Sequence, residues 1–150
     1  MTRILFVCLG NICRSAMAEF IMKDKVKKAG LATAFYIESA GTSDEEHGNP
    51  VYPPARRELA KHGIECVGHS ARQITREDYD RFDLLIGMDH WNIASMERRF
   101  SGDPEKKVRL MSEFGHFDGD VADPWYTGRF EEVYEQIDDA CEELMEIFAR

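Results

Sequence analysis

Cys8 and Arg14 bracket the stretch Cys8-Leu9-Gly10-Asn11-Ile12-Cys13-Arg14-Ser15, with five residues between them. A cysteine thiolate is a strong nucleophile. An arginine offers a planar pair of donors that fits two oxygens of a tetrahedral oxyanion. The N–H groups between them can curl into an anion-binding nest, reinforced where a helix begins. Gly10 suits a tight or positive-φ turn. Asn11 and Ser15 are placed to hold such a loop open or to assist the thiolate as a leaving group. The bland alternative is a buried strand-end cysteine followed by an ordinary helix cap. Spacing alone does not decide between them, because a bare cysteine–arginine pair recurs by chance. The apolar run before Cys8, the glycine, and the serine and helix after Arg14 favour the chemical reading.

The surrounding pattern supplies the elements that hold this loop. Residues 4–8, ILFVC, form a continuous apolar run, as in a strand buried on both faces of a parallel sheet. A helix follows from about Ser15, with Ala16, Met17 and Phe20 on its apolar face and Gly30 at its end. Further strands are expected at residues 35–40, 83–88 and 108–111. Helices are expected over PPARRELAKHG, from Thr75 with a capping box to Asp78, and over residues 90–99. Phe130, Val133, Tyr134, Ile137, Cys141, Leu144, Met145 and Phe148 keep three/four spacing, which predicts a long amphipathic helix. Alternating strands and helices imply an α/β fold: a single domain over 1–150, with a four-stranded parallel twisted sheet, helices on both faces, and a phosphate-binding loop between the first strand and first helix.

Composition narrows the function. The chain has 150 residues, 43% of them hydrophobic, enough for one core, and a net charge of −9 that speaks against nucleic acid as partner. No apolar run approaches a membrane span, and the opening MTRILFVCLG reads as a strand rather than a signal peptide, so no membrane partner and a cytoplasmic location are expected. Cys8, Cys13, Cys66 and Cys141 fit neither a zinc ribbon nor a CxxC redox pair, and reduced thiols are expected. His47, His62, His90 and His116 show no ligand spacing, and no metal or cofactor is implied.

VCLGNICRS resembles the signature loop of the low-molecular-weight protein-tyrosine phosphatases. The resemblance extends through SAGTS at 39–43, GNP at 48–50, HSARQ at 69–73, DLLIGMD at 83–89 and DPW at 123–125. It implies hydrolysis of protein phosphotyrosine, and of small aryl phosphates, through a cysteinyl-phosphate on Cys8. Arg14 would bind phosphate, and Asp123 would protonate the leaving oxygen. An aryl phosphate needs that proton, since otherwise a phenolate must depart. Asp118 and Asp120 stand nearby as alternative acids. Ser39 and His69 match family positions that hydrogen-bond with the loop asparagine, here Asn11, so the phosphate-binding and loop-supporting set is Leu9, Gly10, Asn11, Ile12, Cys13, Ser15, Ser39 and His69.

Trp125 and Tyr126 are expected to line one wall of a substrate slot opposite Leu9 and Ile12, suited to a flat phenyl ring. Members acting on phosphoarginine carry threonine where Ile12 stands, so Ile12 favours phosphotyrosine. Phosphate and other oxyanions would inhibit. Cys13 has two readings: a redox partner that forms a disulfide with Cys8, or a small packing residue. The chain departs from the family at Ala16, often proline, and at Glu45, where vertebrate members often carry an aromatic at the slot rim. Arsenate reductases resemble the same fold, but need two further relay cysteines, and here only Cys66 and Cys141 remain. A phosphoprotein-binding module without catalysis is the other alternative.

Overall fold

The computed structural model describes residues 1–149. Its centre is β1 (Thr2–Cys8), whose apolar run faces two cores at once. Ile4, Phe6 and Cys8 point to one core, and Leu5 and Val7 to the other. This is the period-two alternation of a strand, with both phases apolar because both faces are covered. β1 pairs in parallel with β2 (Phe35–Gly41) and with β3 (Leu84–Gly87), and β3 pairs in parallel with β4 (Val108–Leu110). The order β2-β1-β3-β4 makes a single four-stranded parallel sheet.

Helices α1 (Arg14–Lys28), α2 (Pro53–Lys61) and α6 (Phe130–Phe148) cover the first core. Helices α3 (Arg76–Arg81) and α4 (His90–Arg99) cover the second. The long amphipathic helix buries Val133, Ile137, Ala140, Cys141 and Leu144, while Phe130, Met145 and Phe148 close its margin half-buried. Burial also pushes the Cys141 thiol well above its ordinary range, so it stays a neutral packing group. The expected capping box forms between Thr75 and Asp78. No helix among the described residues is long and apolar enough to cross a membrane.

Several boundaries differ from the sequence expectation. β1 starts two residues earlier, at Thr2, because edge-of-core residues pair without being apolar. The first helix starts at Arg14 rather than Ser15. The fourth strand stops at Leu110, and Met111–Phe114 turns into a 3₁₀ helix. The DPW segment, for which no element was expected, enters a one-turn helix, α5 (Pro124–Thr127), with Asp123 as its cap.

Chain order reverses at β1: β2 lies on one side and β3 on the other. In an open parallel sheet the crevice beyond the strand ends at such a switch point is where ligands bind. Cys8 ends β1 there, and Asp89 caps α4 just past β3. Gly41 ends β2 beside them. A Cβ on Gly41 would sit 2.7 Å from the Leu9 carbonyl oxygen and 3.1 Å from that of Ser43. The Thr42 and Ser43 N–H groups meanwhile donate to the Cys8 and Leu9 carbonyls, at 2.9 and 3.1 Å. Gly41→Ala therefore pushes backbone against backbone, with an expected cost of about 1–3 kcal/mol and a drop in turnover. Urea unfolding and steady-state kinetics check this, and a stable, fully active variant would show that the loop does not depend on this contact.

Candidate active site

The loop from Cys8 to Arg14 is shaped by Asn11, not by Gly10 as the sequence suggested. Asn11 takes the left-handed conformation at φ 60°, whereas Gly10 does not. Gly10 instead lets the Glu46 side chain approach, since a Cβ there would meet its Cγ at 3.3 Å. Asparagine tolerates the left-handed region better than most residues when its amide is held, and here every amide atom is used. Its Oδ1 accepts from the Arg72 N–H at 3.1 Å, which fixes which end of the amide is oxygen. Its Nδ2 donates to Ser15 Oγ and to Ser39 Oγ, each at 2.9 Å. Ser39 in turn donates to Glu19 at 2.5 Å. His69 Nε2 donates to the Asn11 carbonyl at 2.7 Å, its ring set edge-on to Phe20.

This bonding settles what Ser15 does. Its oxygen already accepts from Asn11, so its O–H is free to donate to Cys8 Sγ, 2.9 Å away. The Asn11 N–H points at the same sulfur from 3.3 Å. Cys8 is buried, and the N–H groups of Leu9, Gly10, Ile12, Cys13 and Arg14 donate to no acceptor among the described residues. The start of α1 has no side-chain cap and no acidic residue in its first turn. Unpaired donors converging on a helix N-terminus form a receptor for an anion.

Arg14 is 3% exposed, and three elements fix it there. Nη1 donates to Asp89 Oδ2 at 2.7 Å and to the Val121 carbonyl at 2.9 Å. Nη2 lies 3.6 Å from Asp123 Oδ2. Burial works to lower its pKa, but the charges of Cys8, Asp89 and Asp123 outweigh that and push it up. Asp123 also accepts from the Trp125 N–H at 3.1 Å, so α5 aims it. Of its competitors, Asp120 is bound to both His90 Nδ1 and the His90 N–H, at 2.7 and 3.0 Å, and neither Asp118 nor Asp120 lines the slot.

The slot itself has a volume of about 190 Å³, and Leu9, Ile12, Trp125 and Tyr126 form its apolar lining above Cys8 and Arg14. Trp125 rests on Tyr52 with ring centres 4.6 Å apart, and Tyr52 on Phe130. Glu45 and Glu46 complete the rim. Cys13 faces the slot too, and burial, followed by the charge of Cys8, pushes its thiol well up. Cys66 and Cys141 lie elsewhere: Cys66 packs half-buried against the main core, and Cys141 contacts the Ala18 carbonyl.

Asp89, Tyr52 and Arg72 had no role in the sequence reading. Asp89 ends the DLLIGMD run and begins a helix, which marks a cap. What spacing could not show is that its second oxygen reaches a buried arginine 75 residues away.

The family model for low molecular weight phosphotyrosine protein phosphatase matches residues 3–150. A Bacillus subtilis relative, the low molecular weight protein-tyrosine-phosphatase YfkJ, is 43% identical over 148 residues, 97% of this chain and 94% of its own length. The YfkJ crystal structure matches with a TM-score of 0.94 at 39% identity, over 98% of this chain and 94% of that one. A protein tyrosine phosphatase from Entamoeba histolytica, with Hepes in its active site, matches at 0.90 with 30% identity over 97% and 95% of the two chains. A Drosophila arginine phosphatase matches at 0.90 with 30% identity over 99% and 98%.

Removing Asp89 tests the support of Arg14. Asp89→Ala is expected to cost about 3 kcal/mol in unfolding, because a buried cation loses its shortest partner and α4 loses its cap. Asp89→Asn keeps the cap and isolates the charge. Both should weaken phosphate binding, measured as competitive inhibition. Unchanged unfolding midpoints and inhibition constants would contradict the assignment.

Proposed function

Since the chain belongs to the low molecular weight phosphotyrosine protein phosphatase family, we propose that its Cys8 sulfur attacks the phosphorus of a phosphotyrosine held by Arg14 and the loop amides. The S–P bond forms as the P–O bond to the tyrosine breaks, and Asp123 gives the leaving oxygen its proton. Water then attacks the thiophosphate, Asp123 recovers a proton, and Cys8 departs as a thiolate. The observation that carries this reading is the Ser15 O–H aimed at Cys8 Sγ, backed by the Asn11 N–H. Two donors on a buried sulfur stabilise it as an anion, which serves it both as nucleophile and as leaving group.

Arg14 presents one edge to Asp89 and Val121, which leaves Nη2 and its neighbour for two phosphate oxygens. A phosphate there replaces the longer Arg14–Asp123 contact and frees Asp123 for the leaving oxygen. The narrow apolar slot favours a phenyl ring over the short arm of phosphoserine. The fold is shared with an arginine phosphatase, so selectivity must rest on wall residues, and bulky Ile12 supports phosphotyrosine. The same receptor takes inorganic phosphate and other oxyanions as inhibitors, in keeping with the Hepes found in the Entamoeba relative. Four free thiols suit a reducing, cytoplasmic setting. An arsenate relay has no support, because neither Cys66 nor Cys141 reaches the slot.

Rapid quench with a series of aryl phosphates tests the mechanism. Wild type is expected to trap phosphate on Cys8, and Cys8→Ser to trap none. Asp123→Ala should slow poor leaving groups by about 10²–10⁴-fold and good ones far less. Equal slowing across the series would assign the acid elsewhere, and an unlabelled Cys8 would remove the intermediate.

Cys13 serves in this reading as a redox guard. Peroxide oxidises the Cys8 thiolate to a sulfenic acid; the Cys13 thiol attacks that sulfur, water leaves, and a disulfide forms. Both sulfurs face one slot, and Cys13 is held as a neutral thiol until it reacts. Mass spectrometry after mild peroxide should find the Cys8–Cys13 link, reversed by thiols; a Cys8 sulfinate with no link would rule it out.

A further inference from the structure

Beside the catalytic slot lies a second cleft of about 430 Å³. Leu9, Arg14, Asp123 and Tyr126 line both, so the two share a wall. The far side of the second cleft is α4, which contributes Trp91, Ser95 and Arg98. These are positions i, i+4 and i+7, so they form one stripe along the helix.

Two properties single out this cleft. The first is its exposed aromatic surface. Trp91 is 72% exposed and Tyr126 80%, and together with Leu9 and Trp125 they make up half of the large exposed hydrophobic side chains. A protein that leaves such surface around one mouth has an interaction site there. The second is charge. Arg98 is exposed and makes no ion pair among the described residues. Asp89 and Asp123 also line the cleft, but both are turned to Arg14. Neighbouring Arg99 is occupied with the Thr42 carbonyl. On the slot side the rim instead carries Glu45 and Glu46. The mouth is therefore polar end to end: acidic by the slot rim, and cationic by α4.

We infer that the α4 cleft is a substrate subsite that takes an acidic side chain flanking the phosphotyrosine, its carboxylate paired with Arg98 and its backbone or stem resting on Trp91. This rests on the phosphotyrosine phosphatase function proposed above. The slot admits the phosphorylated ring, and the chain leaving it crosses Tyr126 into the cleft. A carboxylate suits the unpaired guanidinium. A basic side chain is disfavoured there by the same charge and is favoured by Glu45.

Matched phosphotyrosine peptides, carrying glutamate, glutamine or lysine at each position next to the phosphotyrosine, test this. p-Nitrophenyl phosphate, too small to reach the cleft, serves as control. At low salt, wild type is expected to prefer the glutamate peptide at one flank by about fivefold in kcat/KM over glutamine, in line with an exposed charge pair. The preference should fade at high salt. Arg98→Ala should erase it and Arg98→Glu reverse it towards lysine. Trp91→Ala should lower kcat/KM on peptides severalfold, and all three variants should keep p-nitrophenyl phosphate turnover. A wild-type enzyme indifferent to flanking charge, or an Arg98→Glu variant with unchanged preference, overturns the subsite while leaving the phosphatase function standing. Failure of wild type to hydrolyse even p-nitrophenyl phosphate overturns both. Self-association that Trp91→Ala abolishes, with peptides indifferent to Arg98, would give the cleft to a second copy of the chain and overturn the proposal.

Discussion

The site depends on one residue held in an unfavourable backbone conformation. Asn11 at φ 60° turns the loop so that its own N–H points at Cys8 Sγ. A non-glycine residue stays in that region only when its surroundings over-determine it. Three elements do so: α1 through Ser15, β2 through Ser39, and the segment before α3 through Arg72 and His69. Arg72 is itself anchored, with Asp78 accepting from both of its terminal nitrogens at 2.9 and 3.1 Å. Burial alone would raise the Asp78 carboxyl, but Arg72 and the Thr75 cap hold it below the ordinary range. The loop is thus clamped by bonds that reach across the sheet edge, and its donors would need little reordering to hold the phosphate of the proposed reaction.

Charge balance follows the same geometry. A buried arginine is costly alone, and here it lies between two carboxylates and a carbonyl contributed by segments that meet at the switch point of the sheet. Asp89 holds it tightly, whereas Asp123 touches it loosely and remains partly exposed. This inequality separates the two carboxylates by role. In the reaction proposed above, the tightly bound one orients Arg14, and the loosely bound one is the one available for proton transfer.

Local pattern made much of this legible. The apolar run of β1 announced a buried parallel strand, and the three/four spacing of the last helix survived intact because amphipathicity reports burial directly. The loop residues were likewise readable. Of the partners of Asn11, Ser39 and His69 were readable through family resemblance, whereas Arg72 was not. Other features were hidden because they are non-local. Nothing near Asp89 in sequence signals Arg14, and nothing near Tyr52 signals that it supports Trp125. The positive φ fell on Asn11 rather than its glycine neighbour because the amide's three hydrogen bonds compensate for the conformation, and those partners are scattered over residues 15–72. Gly10 was needed for space instead, against Glu46. The single turn of α5 was too short to show any periodicity.

The clamp on Asn11 and the walls of the slot are separate sets of side chains. Ser39, His69, Arg72 and Glu19 lie behind the loop and line none of the slot, while Leu9, Ile12, Trp125 and Tyr126 line it and take no part in the clamp. Mutational drift in the walls therefore carries little risk to the reactive centre. If the slot takes the side chain proposed above, a lineage can retune which one enters, one wall residue at a time, and inherit the chemistry unaltered. Changes in the clamp have no such freedom, since each of its members is bonded to a neighbour that would need a matching change.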